Sequence, residues 1–246
     1  QLGCQRAKAL GTATISIRRS HHIACLAAFL PLATDRGLMI TLASSDPSVA
    51  AVAPFGSYEA KFTPNPLAVG IPTATGPILI DISASATTMG LTARMEGRGE
   101  KLAGDWLVDN QGRASNDPAV LEADPPGALL ALGGLDRGHK GFALAIMIEA
   151  LTSGLPGYGR ANGPTNWGAG VYLQITDPEA FGGLDAFTHQ TGWLADQCRG
   201  AGVPGGAAPV RMPGDGALAR RREATENGIK LYPNILESLA PWMERL

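Results

Sequence analysis

ATISIRRSHHIACLAAFLPLATDRGLMITL, residues 13–42, is the stretch that decides the fold class. Residues 13–17 form a short β-branched run, residues 25–34 carry an apolar helical pattern stopped by Asp35-Arg36-Gly37, and residues 38–42 return as a strand. Strand, helix and strand in such close succession predict a βαβ crossover and a mixed α/β sheet flanked by helices. Ser20-His21-His22 then falls at the carboxyl end of the first strand, where α/β sheets hold their ligands. An imidazole there suits proton transfer near neutrality. The competing reading is a helix cap, with Ser20 at the N-cap and both histidines serving no ligand.

Upstream, the chain opens inside a helical pattern that closes at Gly11. Downstream, residues 44–75 are too rich in proline for regular structure and read as a long loop serving a site. Residues 77–82 read as a buried strand ending in the small residues Ser83-Ala84-Ser85-Ala86, and residues 106–109 as a strand that turns back at Asn110-Gln111-Gly112. Further strands are expected at 171–175 and 209–212, with helices at 184–199, 216–226 and 234–245.

The run GGLDRGHKGFALAIMIE, residues 133–149, joins a glycine-rich turn to an apolar helix expected to reach residue 153 with nearly every side buried. The free amides at a helix start, with Lys140 beside them, can hold a phosphate, which points to a nucleotide. The plainer reading is a turn before a core helix. A P-loop is excluded, because His139 separates Gly138 from Lys140 and Gly141 stands where a magnesium-binding hydroxyl belongs. Gly200-Ala201-Gly202-Val203-Pro204-Gly205 spells G-x-G-x-x-G, but it follows a helix and contains a proline, so it reads as a loop and not a Rossmann fingerprint. No G-x-S-x-G elbow is present.

A net charge of −2 with 17% charged residues gives no field that would recruit nucleic acid. Arg220-Arg221-Arg222 could meet a phosphate at a helix start or simply be solvated. Cys4, Cys25 and Cys198 form no C-x-x-C pair, which argues against a disulfide framework or a zinc site and for a reducing, cytoplasmic setting. No segment approaches the ~20 apolar residues of a membrane span, and the first residues lack a signal-peptide pattern, so a soluble protein without membrane association is expected.

Ser20-His21-His22-Ile23, Ser45-Asp46-Pro47, Pro54-Phe55-Gly56, Pro64-Asn65-Pro66-Leu67-Ala68, Asp81-Ile82-Ser83-Ala84-Ser85, Gly138-His139-Lys140-Gly141 and Pro213-Gly214-Asp215 occur in this order. In that ordered set the chain resembles the malate/L-lactate dehydrogenase family, which includes ureidoglycolate, sulfolactate and diketogulonate dehydrogenases and cyclic imino-acid reductases. The resemblance implies a family-specific, non-Rossmann α/β fold that binds NAD or NADP, usually as a homodimer, and hydride transfer between that nucleotide and a small 2-hydroxyacid or 2-oxoacid. It places the catalytic motif on Ser20 and His22, with His22 exchanging the proton. It places cofactor contacts on Ser45, on Asp81, Ile82, Ser83, Ala84 and Ser85, on His139 and Lys140, and on Gly214 and Asp215. No metal is implied.

The family usually has Asn and Gly where this chain has Arg19 and Ala24, and the stretch between Met89 and Trp106 lacks the usual Gly-Lys-Ile. Relatives also carry an N-terminal helical segment with a Ser-His-Gly motif and an arginine that precedes the part matched here. That divides the chain into a cofactor-binding and catalytic domain, residues 1–206, and a C-terminal helical segment, residues 207–246, which would pack with that segment. Two readings follow: a working NAD(P)-dependent 2-hydroxyacid dehydrogenase, or an inactive fragment or subunit that only binds the nucleotide.

Overall fold

The computed structural model describes residues 1–232 and 235–243. Its centre is a five-stranded sheet of β1 (Thr12–Ser20), β2 (Met39–Ser45), β3 (Pro66–Ile71), β4 (Ile78–Ser83) and a late strand, Ala169–Thr176. The late strand is β8, because three two-residue strands intervene: β5 (Leu107–Val108), β6 (Ala114–Ser115) and β7 (Ala128–Leu129), which form a small sheet of their own. The strand order in the large sheet is β1-β8-β2-β3-β4.

The expected α/β class is what the chain adopts, and the ladders inside it are antiparallel throughout. The β1-to-β2 crossover is present, since both strands run antiparallel to β8 and therefore parallel to each other. They are not neighbours, however, because β8 lies between them. In place of the one helix expected over residues 25–34, the connection carries a 3₁₀ turn, Leu26–Phe29, and a four-residue helix, Pro31–Thr34, that opens on Pro31.

Strand alternation sends successive side chains to opposite faces, and the two faces build separate cores. Ile40, Leu42, Ala68, Val171 and Ile175 pack on one face with Cys4 and Ala7 of α1 (Leu2–Leu10) and with Leu26, Leu30 and Leu38 of the crossover. Ala43 and Tyr172 pack on the other with Val52, Phe62, Leu107 and Leu129 and with Ala145 and Ile148. The last two belong to the apolar helix, which spans His139–Glu149 and continues as a wider π turn, Ala150–Gly154.

Several expectations change here. That helix buries only one face, through Gly141, Ala145 and Ile148, while Ile146 and Met147 are 52% and 45% exposed, because the sheet covers one side alone. Residues 44–75 contain β3, an interior strand, which tolerates its proline because Pro66 is the first residue and owes the ladder no N–H. The strand expected at 77–82 is an edge strand, and its second half, including Ile82, is exposed. Residues 209–212 form no strand. A helix not foreseen, Met89–Glu96, is capped by the Thr88 hydroxyl accepting from Leu91 N–H.

Helix Leu184–Arg199 has the expected limits, and helix Asp215–Asn227 matches the charged helix expected at 216–226 to within one residue at each end. Helix Ile235–Met243 occupies the middle of the stretch expected at 234–245, whose limits Asn234 and Arg245 lie outside the described residues. The segment after residue 207 reaches the sheet edge: Leu79 N–H donates to Pro213 C=O at 3.0 Å, and Leu218 packs against the first core.

Candidate active site

The antiparallel order brings the ends of β1, β2 and β4 together with the starts of β3 and β8 at one end of the sheet. Ser20 pairs with Ala169, Ser45 with Gly170 and Pro66 with Ser83. A cavity of about 470 Å³ opens there, walled by His22, Ser45, Asp46, Ser83, Trp167 and the first residues of helix Met89–Glu96, among others.

His22 reaches this cavity because β1 ends irregularly. Its register with β8 shifts between Ile17 and Ser20, and Arg19 and Ala24, on either side of the histidine pair, adopt φ of 57° and 53°. Such a shift re-aims the chain at a strand end. These are the two positions where the family usually has Asn and Gly, residues that enter the left-handed region at less cost.

The His22 Nδ1 accepts from Ala24 N–H at 3.1 Å, so the neutral ring carries its proton on Nε2, the nitrogen left for a ligand. The ring meets Trp167 with centroids 5.5 Å apart, and Trp167 forms part of the apolar wall. Asp46, in the same lining, is buried; its Oδ1 accepts from the amide and hydroxyl of Ser48, while Oδ2 has no partner among the described residues.

Behind the cavity lies a polar network that the sequence did not disclose. Arg160 donates to Glu149 Oε1 from Nε and a terminal nitrogen at 3.1 and 2.9 Å, and also to the carbonyls of Asp46 and Val49. Glu149 Oε1 further accepts from Ser45 Oγ at 2.7 Å and Asn65 Nδ2 at 3.1 Å. Burial alone would raise the Glu149 carboxyl, but hydrogen bonds from Arg160 and Ser45, the Arg160 charge and the Asn65 bond outweigh it and hold the carboxyl below its usual range. The network fixes the loop after β2, which forms one wall. Its one sequence signal was Glu149 itself, the only charged residue in the apolar run 141–149.

A second cleft, of about 730 Å³, adjoins the first across residues 22–27 and the end of β4. Asp81, Ile82 and Gly214 line it, with Cys25, Arg211 and Arg220. Asp81 Oδ2 accepts from Ala27 N–H at 2.8 Å and from the Cys25 thiol at 3.4 Å. Partial burial pushes that thiol up, and the adjacent carboxylate pushes it the same way, which keeps it a donor. Gly214 has φ 99° and stands so close to β4 that a Cβ would lie 2.9 Å from Leu79 N.

The residues singled out from the sequence therefore divide. His22, Ser45 and Ser83 share the first cavity; Asp81, Ile82 and Gly214 share the second. Ser45 keeps its wall position with its hydroxyl committed to Glu149. Ser20 ends β1 at the mouth. Ala84 and Ser85 are buried and tie to the turn before the apolar helix, Leu132 N–H donating to Ala84 C=O and Ser85 bridging to Ala131. His139 and Lys140 stand exposed on the first turn of that helix, lining neither cleft; the His139 ring contacts Phe55 at 5.7 Å. Asp215 closes its own loop on Met212 N–H and pairs with Arg199. Among the described residues no cluster has the makings of a metal site, and no helix is long and apolar enough to cross a membrane.

The sequence profile of the malate/L-lactate dehydrogenase family matches residues 1–240. The chain is 32% identical over 245 residues to the Δ1-pyrroline-2-carboxylate/Δ1-piperideine-2-carboxylate reductase of Pseudomonas syringae pv. tomato, covering 95% of this chain and 66% of that protein. It is 30% identical over 237 residues to hydroxycarboxylate dehydrogenase B of Escherichia coli K12, covering 94% of this chain and 64% of that protein. Among solved structures, a protein described as a putative malate/lactate dehydrogenase from E. coli superimposes with a TM-score of 0.85 at 27% identity, over 99% of this chain and 68% of that one. The chain thus spans about two thirds of the length of these relatives. The profile match over nearly the whole sequence makes this chain a member of the malate/L-lactate dehydrogenase family.

Proposed function

We propose that this chain is the catalytic part of an oxidoreductase that moves a hydride between NAD or NADP and a small 2-hydroxyacid, 2-oxoacid or cyclic imino acid. The observation that carries the reading is the apolar cavity holding the His22 imidazole beside a cleft bearing Arg211 and Arg220, the two linings sharing residues 22–27 and the end of β4 as their wall. The residues fit a dinucleotide laid across that wall. Gly216, without a side chain, leaves room for a nucleotide beside Arg211 and Arg220, and Asp46 Oδ2, which has no partner among the described residues, offers an acceptor for an amide N–H₂ at the first cavity.

When bound, the nicotinamide supplies the hydride chemistry. The protein's part is to exclude water, orient the acid and manage the proton. His22, with its proton on Nε2, presents a hydrogen-bond donor to a carbonyl or imine as negative charge develops there. Net transfer of that proton runs from the imidazolium, whose Nδ1 proton displaces the Ala24 N–H; it leaves the ring neutral with Nδ1–H, and is reversed when a hydroxyl returns its proton to Nε2. Trp167 flattens one wall beside it. Ser20 helps to hold the strand end that carries the imidazole. His139 and Lys140 supply cofactor contacts from the exposed first turn of their helix, and Ser83 supplies one from the end of β4, which the buried Ala84 and Ser85 hold in place.

The same reading carries a homodimer in the cytoplasm. Ile146 and Met147 leave an apolar strip exposed on the helix, and all three cysteines are free. The test is nucleotide oxidation by the purified chain with pyruvate, oxaloacetate and Δ1-piperideine-2-carboxylate, beside a fluorescence titration of the nucleotide. Turnover of any of these acids supports the enzyme. Saturable binding with no turnover would leave a nucleotide-binding subunit instead.

A further inference from the structure

Arg211 and Arg220 converge on one point of the second cleft. A Cβ built on Gly216 would lie 3.3 Å from a terminal nitrogen of Arg220 and 3.8 Å from one of Arg211, so the bare glycine is what lets both guanidinium groups lean over the same spot. Neither has a hydrogen-bond or ion-pair partner among the described residues. The carboxylate in the same cleft, Asp81, forms no ion pair with either arginine and accepts through Oδ2 from Ala27 N–H and the Cys25 thiol, while both oxygens of Asp215 nearby are engaged, by Met212 N–H and Arg199. Two adjacent, uncompensated guanidinium groups repel each other and call for an anion with more than one charge and several acceptor oxygens.

We infer that this cleft binds a terminal phosphate monoester, and that Arg220 with Arg211 selects NADP over NAD by holding the 2′-phosphate. The inference rests on the nucleotide reading above and adds its specificity. A monoester carries about two negative charges and three acceptor oxygens, which suits two guanidinium forks, whereas a phosphodiester within a pyrophosphate carries one charge.

The experiment compares NADPH with NADH by fluorescence titration of the whole chain, and 2′-AMP with 5′-AMP as competitors, for wild type and Arg220→Gln. Arg220 is exposed, so the variant is expected to fold, which its melting temperature checks. NADPH should bind about tenfold or more tightly than NADH, and 2′-AMP should compete where 5′-AMP does so weakly. Arg220→Gln should weaken NADPH and 2′-AMP by about tenfold and leave NADH within about twofold. Equal affinity for the two dinucleotides, or an equal loss of both in the variant, overturns the 2′-phosphate assignment and leaves the nucleotide reading standing. Absence of binding by every one of the four probes overturns both.

Discussion

Glu149 and Arg160 meet at 2.9 Å behind the wall of the histidine cavity, joining the end of the apolar helix to the loop after β2. Both side chains are mostly shielded, 18% and 25% exposed, so their attraction is less screened than that of a surface pair. Removing the guanidinium with Arg160→Leu leaves a shielded carboxylate without its counter-charge. The expected cost is toward the lower end of about 3–5 kcal/mol, read by urea denaturation at pH 7.

The same pair sets a pH dependence. The Glu149 carboxyl sits below its usual 4.5 in the folded state, so its stabilising contribution is complete above that value and is lost as pH falls below it. Glu149→Gln should therefore be less stable than wild type at pH 7, with the deficit shrinking as pH drops below 4.5. A deficit that stays constant across that range would mean the carboxylate charge plays no part.

Ala24 holds φ 53° beside the candidate catalytic imidazole. Left-handed backbone costs a residue with a Cβ about 1–2 kcal/mol, part of which glycine gives back as unfolded-state entropy. Ala24→Gly should gain about 0.5–1 kcal/mol, visible as a rise of roughly 1–4 °C in melting temperature. An unchanged or lower value would show that the turn stores no strain at this position.

His22→Ala should lower turnover by about 10²–10⁴-fold while leaving nucleotide affinity within about twofold, as for a lost proton-handling group outside the nucleotide's binding contacts. Steady-state kinetics alongside the fluorescence titration separate the two effects. Full activity in the variant would remove His22 from the chemistry.

Gly141 is buried where the apolar helix crosses the turn before it. A Cβ there would strike Leu132 N–H, and would lie 2.6 Å from Leu132 O and 2.8 Å from Ala84 O. All three are backbone atoms that cannot swing aside, so Gly141→Ala should cost about 1–3 kcal/mol or more, as overpacking does. Thermal unfolding measures it. Lys140→Ala, one residue earlier on the exposed side, should leave the melting temperature within about 1 °C and act on nucleotide affinity instead.

Much of this was legible in the sequence. The helix at residues 184–199 and the two strands of the crossover at 13–42 were legible, whereas the helical pattern at 25–34 folds as a 3₁₀ turn and a four-residue helix. His22 and Ser83 read as lying at strand ends and Ser45 comes from the family resemblance; the structure lines one cavity with all three. What stayed hidden depends on who neighbours whom. No local pattern says that β8 lies between β1 and β2, or that the helix from His139 has sheet on one side only. Pro64 and Pro66 masked β3, because a proline that opens a strand looks the same in sequence as one that forbids it. Arg160 and Trp167 come from a stretch with no pattern of its own, and only the fold sets them beside Glu149 and the cavity.

The position of β8 has a consequence for how the protein is made. β1 and β2 leave the ribosome more than a hundred residues before the strand that joins them, so each must wait with an open row of amides and carbonyls until residues 169–176 arrive. Until then the pocket rim has no shape, and a nascent chain halted short of that strand carries two sticky borders for which a chaperone, or another stalled copy, is the nearest substitute.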